Sequence, residues 1–185
     1  MKRPHSHNSI RKKKQQQKQP TPKKRRLSYF ADHLLIFEID QSFSVKSKKK
    51  EYDCFICSLE YLKIIDPQTA ETLRAFIEEE HRGVTVNQML NILKLKLKKD
   101  DINDELVPYE SIQYIFDLLK PSTATIIGLL ESTGDTGHIV LLAKDSYGRV
   151  GIVDPQASYM CMHQECDKYM KPYTQQPIII FTSKH

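Results

Sequence analysis

The order of periodicities along the chain predicts an α+β fold, with N-terminal helices followed by an antiparallel sheet. From Cys54 to Leu119 apolar residues recur at three- and four-residue steps, the period of one helix face. After Pro121 the pattern changes to short β-branched and apolar runs divided by Gly, Asp and Pro turns, which is how strands read. At 185 residues, with 39% apolar and 28% charged residues and no Trp, one compact domain accounts for the length.

Leu34-Leu35-Ile36-Phe37-Glu38-Ile39 suits a first strand or an arm lying on the body, and residues 46 to 50 form a basic loop leading to Cys54. The first helix opens at Cys54, carries Phe55, Ile56, Leu59, Leu62 and Ile65 on one face, and stops at Asp66-Pro67. A second, over 68–81, places Ala70, Leu73, Phe76 and Ile77 inward and ends at Gly83. Thr85 with Gln88 three residues on is a capping box that opens a third helix bearing Met89, Leu90, Ile92 and Leu93. The alternation of Leu and Lys over 93–98 predicts that this helix stops near Ile92 and a short strand follows. Pro108 at a first helical position starts a fourth helix, over 109–119. Strands are expected over 123–130, 138–144, 149–153 and 178–182, with no internal repeat.

The net charge of +5 hides an asymmetry. Eleven of the 28 Lys and Arg, and no acid, fall in residues 1–30, which leaves seventeen basic against 23 acidic residues beyond them. Residues 1–30 therefore read as a disordered basic arm, and 31–185 as the folded domain. Arg11-Lys12-Lys13-Lys14 and Lys23-Lys24-Arg25-Arg26 are patterns that engage an import receptor or nucleic-acid phosphates, so residues 1–26 are the candidate contact for either partner. No run of 18 apolar residues and no apolar segment behind the N-terminal charges is present, so neither a membrane span nor secretion is expected. The setting expected is intracellular, the nucleus or a virus particle included, and Cys54, Cys57, Cys161 and Cys166 are expected as reduced thiols.

Two fragments carry the chemistry: Asp53-Cys54-Phe55-Ile56-Cys57, and Gly137-His138-Ile139-Val140 followed by Asp154-Pro155-Gln156. A cysteine in the first turn of a helix meets unsatisfied N–H groups and a positive dipole end, which favour its thiolate. Cys54 has that place, whereas Cys57, one turn in among apolar residues, reads as a core thiol. His138 opens an apolar strand, where a polar side chain needs a use, and Asp154 closes the next strand, although Asp-Pro also simply opens turns. Their pairing depends on the loop between them. A two-residue turn at Ser146-Tyr147 puts His138 opposite Pro155 and turns Asp154 to the other face. A three-residue loop at Ser146-Tyr147-Gly148 makes Asp154 the diagonal neighbour of His138, and one at Asp145-Ser146-Tyr147 sets the two directly opposite.

A cysteine at a helix start, about 80 residues, Gly-His on an apolar strand, a turn, and a strand ending in Asp-Pro-Gln resembles the papain-like cysteine peptidase superfamily. Its minimal forms match best, among them small papain-like proteins of large DNA viruses and toxin-type papain-fold domains. The resemblance covers residues 50–156 and implies a papain-like fold, a Cys54 nucleophile, a His138 base and an orienting Asp154, acting on an amide, peptide or isopeptide bond of a protein substrate. No cofactor and no metal is expected. The family's oxyanion Gln, a few residues before the nucleophile, is missing. Asp53 stands next to Cys54, Gln41 lies thirteen residues away, and Asp53 and Gln156 are the supporting or oxyanion candidates. Zinc held by Cys54, Cys57, Cys161, His163 and Cys166 fits less well, because the second group is badly spaced and the first pair lies in an apolar helix. The rival functions are a catalytically inactive papain-fold interaction protein with a nucleic-acid-binding arm, and a protein glutamine deamidase.

If the arm contacts phosphates, duplex DNA binding by the full chain falls steeply between roughly 50 and 200 mM salt and is lost on removal of residues 1–26. A fluorescence-anisotropy salt series measures this, and affinity indifferent to salt rules that role out.

Overall fold

The computed structural model of the chain describes residues 32–40, 52–80, 83–131, 137–162 and 164–184. The basic arm, the 46–50 loop, Gln41 and His163 lie outside them. Among the described residues there are five helices and seven strands, the strands forming one antiparallel sheet. The helices are α1 (Cys54–Tyr61), α2 (Pro67–Glu80), α3 (Val86–Leu97), α4 (Ser111–Leu118) and α5 (Gln164–Met170). The strands are β1 (Phe37–Glu38), β2 (Ile102–Val107), β3 (Thr123–Leu130), β4 (Gly137–Lys144), β5 (Val150–Asp154), β6 (Tyr159–Met162) and β7 (Ile178–Ser183). Their order is β2-β7-β3-β4-β5-β6, with β1 on the part of β3 that β7 leaves unpaired.

Helices cover both faces of this sheet, which is why β3 and β4 read as nearly unbroken apolar runs rather than alternating ones. On one face Phe55, Ile56 and Leu59 of α1, Ala70 and Ile77 of α2, and Leu93 of α3 pack on Ile126, Ile139, Leu141 and Phe181. On the other, Ile112, Ile115 and Phe116 of α4 and Met170 of α5 pack on Ile127, Leu129, Val140, Leu142 and Ile152. The even-numbered residues of β4 and β5 face the α4 and α5 side, and that parity places the site described below.

The helices-then-sheet order holds only in part. β2 interrupts it ahead of α4, and α5 lies between β6 and β7. The short strand expected over 93–98 is helix instead. α3 continues to Leu97 because Met89, Leu93 and Leu97 lie one helical turn apart on the core side, while the intervening Leu95 is 74% exposed. Lys98, at φ 54°, caps the helix through an N–H bond to the Lys94 carbonyl. The strand falls at Ile102–Val107, buried only at its two ends, so its acidic middle hid it. The capping box forms as expected, with the Gln88 N–H donating to Thr85 Oγ1 at 3.3 Å and the Thr85 N–H to Gln88 Oε1 at 2.8 Å.

α2 is rotated relative to the expected stripe. Phe76 is 52% exposed, and Arg74, spaced four residues from Ala70 and three from Ile77, takes the inward position. The N-terminal segment is both strand and arm. Leu35 N–H donates to the Phe181 carbonyl at 2.9 Å and Ser183 N–H to the His33 carbonyl at 2.8 Å, after which Phe37 and Glu38 pair with Ala124 and Thr123. Residues 33–38 thus fill the gap where β3 and β7 part.

Gly151 sits where β5 meets β6, and a methyl group there would overlap the Cys161 carbonyl oxygen and the Met162 sulfur. Gly151→Ala is expected to destabilise the protein by about 1–3 kcal/mol, as overpacking does, in a urea-unfolding measurement.

Candidate functional site

Asp145 builds the β4–β5 hairpin. Its Oδ1 accepts the N–H groups of Tyr147 (2.9 Å) and Arg149 (2.8 Å), its Oδ2 accepts Arg149 Nε (2.6 Å), and its backbone N–H donates to the Arg149 carbonyl (2.9 Å). The loop left over is Ser146-Tyr147-Gly148, with Gly148 at φ 82°, a conformation that suits glycine. The ladder Leu141↔Val153, Leu142↔Ile152, Lys144↔Val150 follows. Of the loop lengths open from sequence, this one makes Asp154 the diagonal neighbour of His138, on the face shared with Val140, Leu142 and Ile152.

His138 Nε2 lies 2.7 Å from Asp154 Oδ2. With α1 on the opposite face, Cys54 meets His138 where β4 begins, and the thiol hydrogen-bonds to the imidazole. Since Nε2 is taken by Asp154, Nδ1 is the ring nitrogen left for the sulfur. Burial works against the imidazolium, but the hydrogen bonds and charges of Asp154 and Cys54 outweigh it and lift the His138 pKa to about 10. Burial likewise opposes the Asp154 carboxylate, yet the hydrogen bonds and charge of His138, with Tyr169 and the Ala157 N–H, hold its pKa below the usual value. The turn-opening and functional readings of Asp154 are therefore compatible: Oδ1 accepts the Ala157 N–H at 3.1 Å, and Oδ2 faces the histidine.

Asp53 and Gln156 are brought together by a 2.9 Å bond from Gln156 Nε2 to Asp53 Oδ1. An ionised carboxylate only accepts, so Asp53 supports the site rather than donating to an oxyanion. Its Oδ2 accepts Arg74 Nε at 2.8 Å, and both side chains are almost wholly buried. Arg74 also donates to Glu60 Oε2 at 2.6 Å, Glu71 Oε1 at 3.3 Å and Cys57 Sγ at 3.6 Å. This cluster fastens the start of α1 to α2 and, through Gln156, to the turn after β5. Burial, with the charge of Asp53, pushes the Cys57 thiol up to about 12, so it stays protonated.

Three groups of the site carried no motif. Arg74 could have been read from its place on the apolar stripe of α2. Tyr169 donates its hydroxyl to Asp154 Oδ2 at 2.7 Å, and the charges of Cys54, Asp154 and Glu131 all act on Tyr173. Neither tyrosine lies within the stretch of family resemblance. All four cysteines are free. Cys161 and Cys166 lie 3.4 Å apart in the α5-side core, away from the α1 pair, and no group of three or more His, Cys, Asp or Glu able to hold a metal occurs among the described residues. Nor, among those residues, is any helix long and apolar enough to cross a membrane.

Searched against protein-family models the chain matches none, and no curated protein matches it. What stands is an antiparallel α+β domain with a buried-acid, imidazole and thiol constellation at one end of its sheet.

Arg74→Ala leaves Asp53 buried without its counter-ion. It is expected to cost about 3–5 kcal/mol in denaturant unfolding, the range for breaking a buried ion pair. A loss below 1 kcal/mol contradicts the role given to the cluster.

Proposed function

We propose that this chain is a papain-like cysteine hydrolase that cleaves an amide, peptide or isopeptide bond in a protein substrate. The observation that carries the reading is that one imidazole meets an almost fully buried carboxylate at 2.7 Å and a helix-opening thiol together. In this reading Cys54 and His138 exist as thiolate and imidazolium. The sulfur attacks the carbonyl carbon, the new oxyanion is met by the backbone N–H groups at the start of α1, and His138 Nδ1 gives its proton to the leaving amine. Water, deprotonated by the now neutral His138, then releases the acyl group from Cys54. Asp154 keeps Nε2 protonated throughout and steadies the positive ring without taking its proton.

The sign of the pH dependence follows from the two shifts. The His138 contribution, raised in the folded state, is full below about pH 6.5, the ordinary histidine value, and is lost as pH rises through about 10. The Asp154 contribution, lowered in the folded state, is present above the ordinary carboxylate value and is lost as pH falls through its depressed one.

A cysteine-directed acyl probe is expected to label wild-type protein at Cys54, as located by peptide mass mapping, and not Cys54→Ala. Labelling of His138→Ala at neutral pH is expected to fall by at least roughly 10²-fold, the usual contribution of a positioned base. Hydrolysis of a peptide substrate should decline as pH rises through about 10, while alkylation of the thiolate does not. Absence of labelling in the wild type, or labelling that persists without Cys54, sinks the enzyme reading and leaves the inactive papain-fold interaction protein in its place.

A further inference from the structure

Asp154 Oδ2 takes two donors at the same 2.7 Å distance, His138 Nε2 and the Tyr169 hydroxyl, while Oδ1 takes the Ala157 N–H at 3.1 Å. We propose that Tyr169 is a positioning residue of this site, its phenol holding the Asp154 carboxylate ionised and turned toward His138. The catalytic meaning of this rests on the hydrolase reading, but the chemistry of the contact does not. A carboxylate bound through only one oxygen can swing about its terminal torsion. Tied at Oδ1 by the backbone and at Oδ2 by a phenol, the Asp154 group has its plane set by two partners that neither move nor titrate with the histidine.

Tyr169 is delivered by two separate anchors. On α5, one turn ahead of it, Cys166 Sγ lies 3.4 Å from Cys161 Sγ and donates to the Cys161 carbonyl at 3.1 Å, pinning the helix to β6. On β6, Tyr159 is the cross-strand partner of Asp154 and so emerges on the same face, where its ring stacks on that of Tyr169 at 5.3 Å and 17°. The ring is thus aimed from one side and backed from the other.

The groups acting on this carboxylate come from several elements: His138 of β4, Tyr169 of α5 and Tyr173 of the turn Lys171–Tyr173. Cys54 of α1 and Glu131, beyond β3, bear on the same cluster through His138 and Tyr173, and Cys161 of β6 bears on Tyr169. Burial, and after it the Asp154 hydrogen bond, push the Tyr169 phenol far above its ordinary range, so it remains a donor wherever the site can work. Of the groups that act on Asp154, His138 therefore changes state with the reaction, and Tyr169 does not.

The test uses ¹³C NMR titration of the Asp154 side-chain carboxyl in full-length Cys54→Ala protein, with and without Tyr169→Phe. That substitution keeps the ring and its stacking, and the measurement needs no enzymatic activity. With one of three donors gone, the Asp154 midpoint is expected to rise by about 0.5–1 pH unit. An unchanged midpoint overturns the proposal. In protein that retains Cys54, the acid limb of iodoacetamide alkylation at Cys54 should move up in step with the midpoint. A carboxyl shift without movement of that limb makes Tyr169 structural only and overturns its positioning role. Tyr159→Leu, which removes the backing ring and leaves the phenol, should shift the midpoint less and in the same direction, and a shift larger than that of Tyr169→Phe overturns the assignment to the phenol. If wild-type Cys54 alkylates no faster than an ordinary thiol at any pH, the hydrolase reading fails, and the carboxyl titration still upholds or overturns the hold of Tyr169 on Asp154.

Discussion

One loop length governs the site. Because the β4–β5 hairpin spends three residues on its turn, Ser146 to Gly148, the cross-strand sum places Asp154 on the face that carries His138. One residue fewer would have turned the acid to the opposite face and left the histidine opposite a proline. That count is enforced chemically by Asp145, whose two side-chain oxygens take three donors from the loop and from Arg149. The separation of His138 and Asp154 in space thus rests on an aspartate at the far end of the hairpin.

Three aspartates solve the same problem in three ways. Asp145 is satisfied by its own loop at the surface, and Asp53 by an inward-facing arginine on another helix. Asp154 is satisfied by a histidine, a tyrosine and a backbone N–H from three different segments. A buried carboxylate without such donors would neutralise rather than stay charged. Gln156 joins two of these solutions, because it follows Asp154 by two residues and donates to Asp53. The helix that opens at Cys54 and the strand that closes at Asp154 are thereby connected through Asp53 and Gln156 as well as through His138.

Much of this could be read from residue patterns, and the failures have common causes. Local signals survived: the Thr85 capping box, the Gly148 turn, the cysteine at a helix start and the apolar strands around His138 all depend on neighbours in sequence. Signals that depend on tertiary pairing did not. Alternating Leu and Lys over 93–98 fits a strand or a helix with one outward leucine, and only packing of Leu93 and Leu97 on the core decides it. The strand Ile102–Val107 looks polar because it is an edge, stabilised by main-chain pairing with β7. Arg74 reads as a solvated side chain until Asp53, 21 residues earlier, is placed beside it. Tyr169 belongs to a stretch with no motif, and its partner lies 15 residues back across a strand and a turn. The thiol, imidazole and acid were legible as a set, with Asp53 and Gln156 beside them, whereas Arg74 and Tyr169, which hold Asp53 and Asp154, were not.

The place of β7 has a consequence for how the protein comes into being. It is the last strand in chain order, yet it lies between β2 and β3, and its far end also receives residues 33–35. The bridge from Leu34 to Thr182 spans nearly 150 residues, so segments far apart in the chain must meet before the described sheet is whole. Until residue 183 has left the ribosome, β2 has no strand to pair with, and the edge of β3 over Ile127–Leu129 waits unpaired. Such long-range closure slows folding and makes it close to all-or-none. A nascent chain therefore gains its thiol, imidazole and acid well before it gains the sheet that can align them.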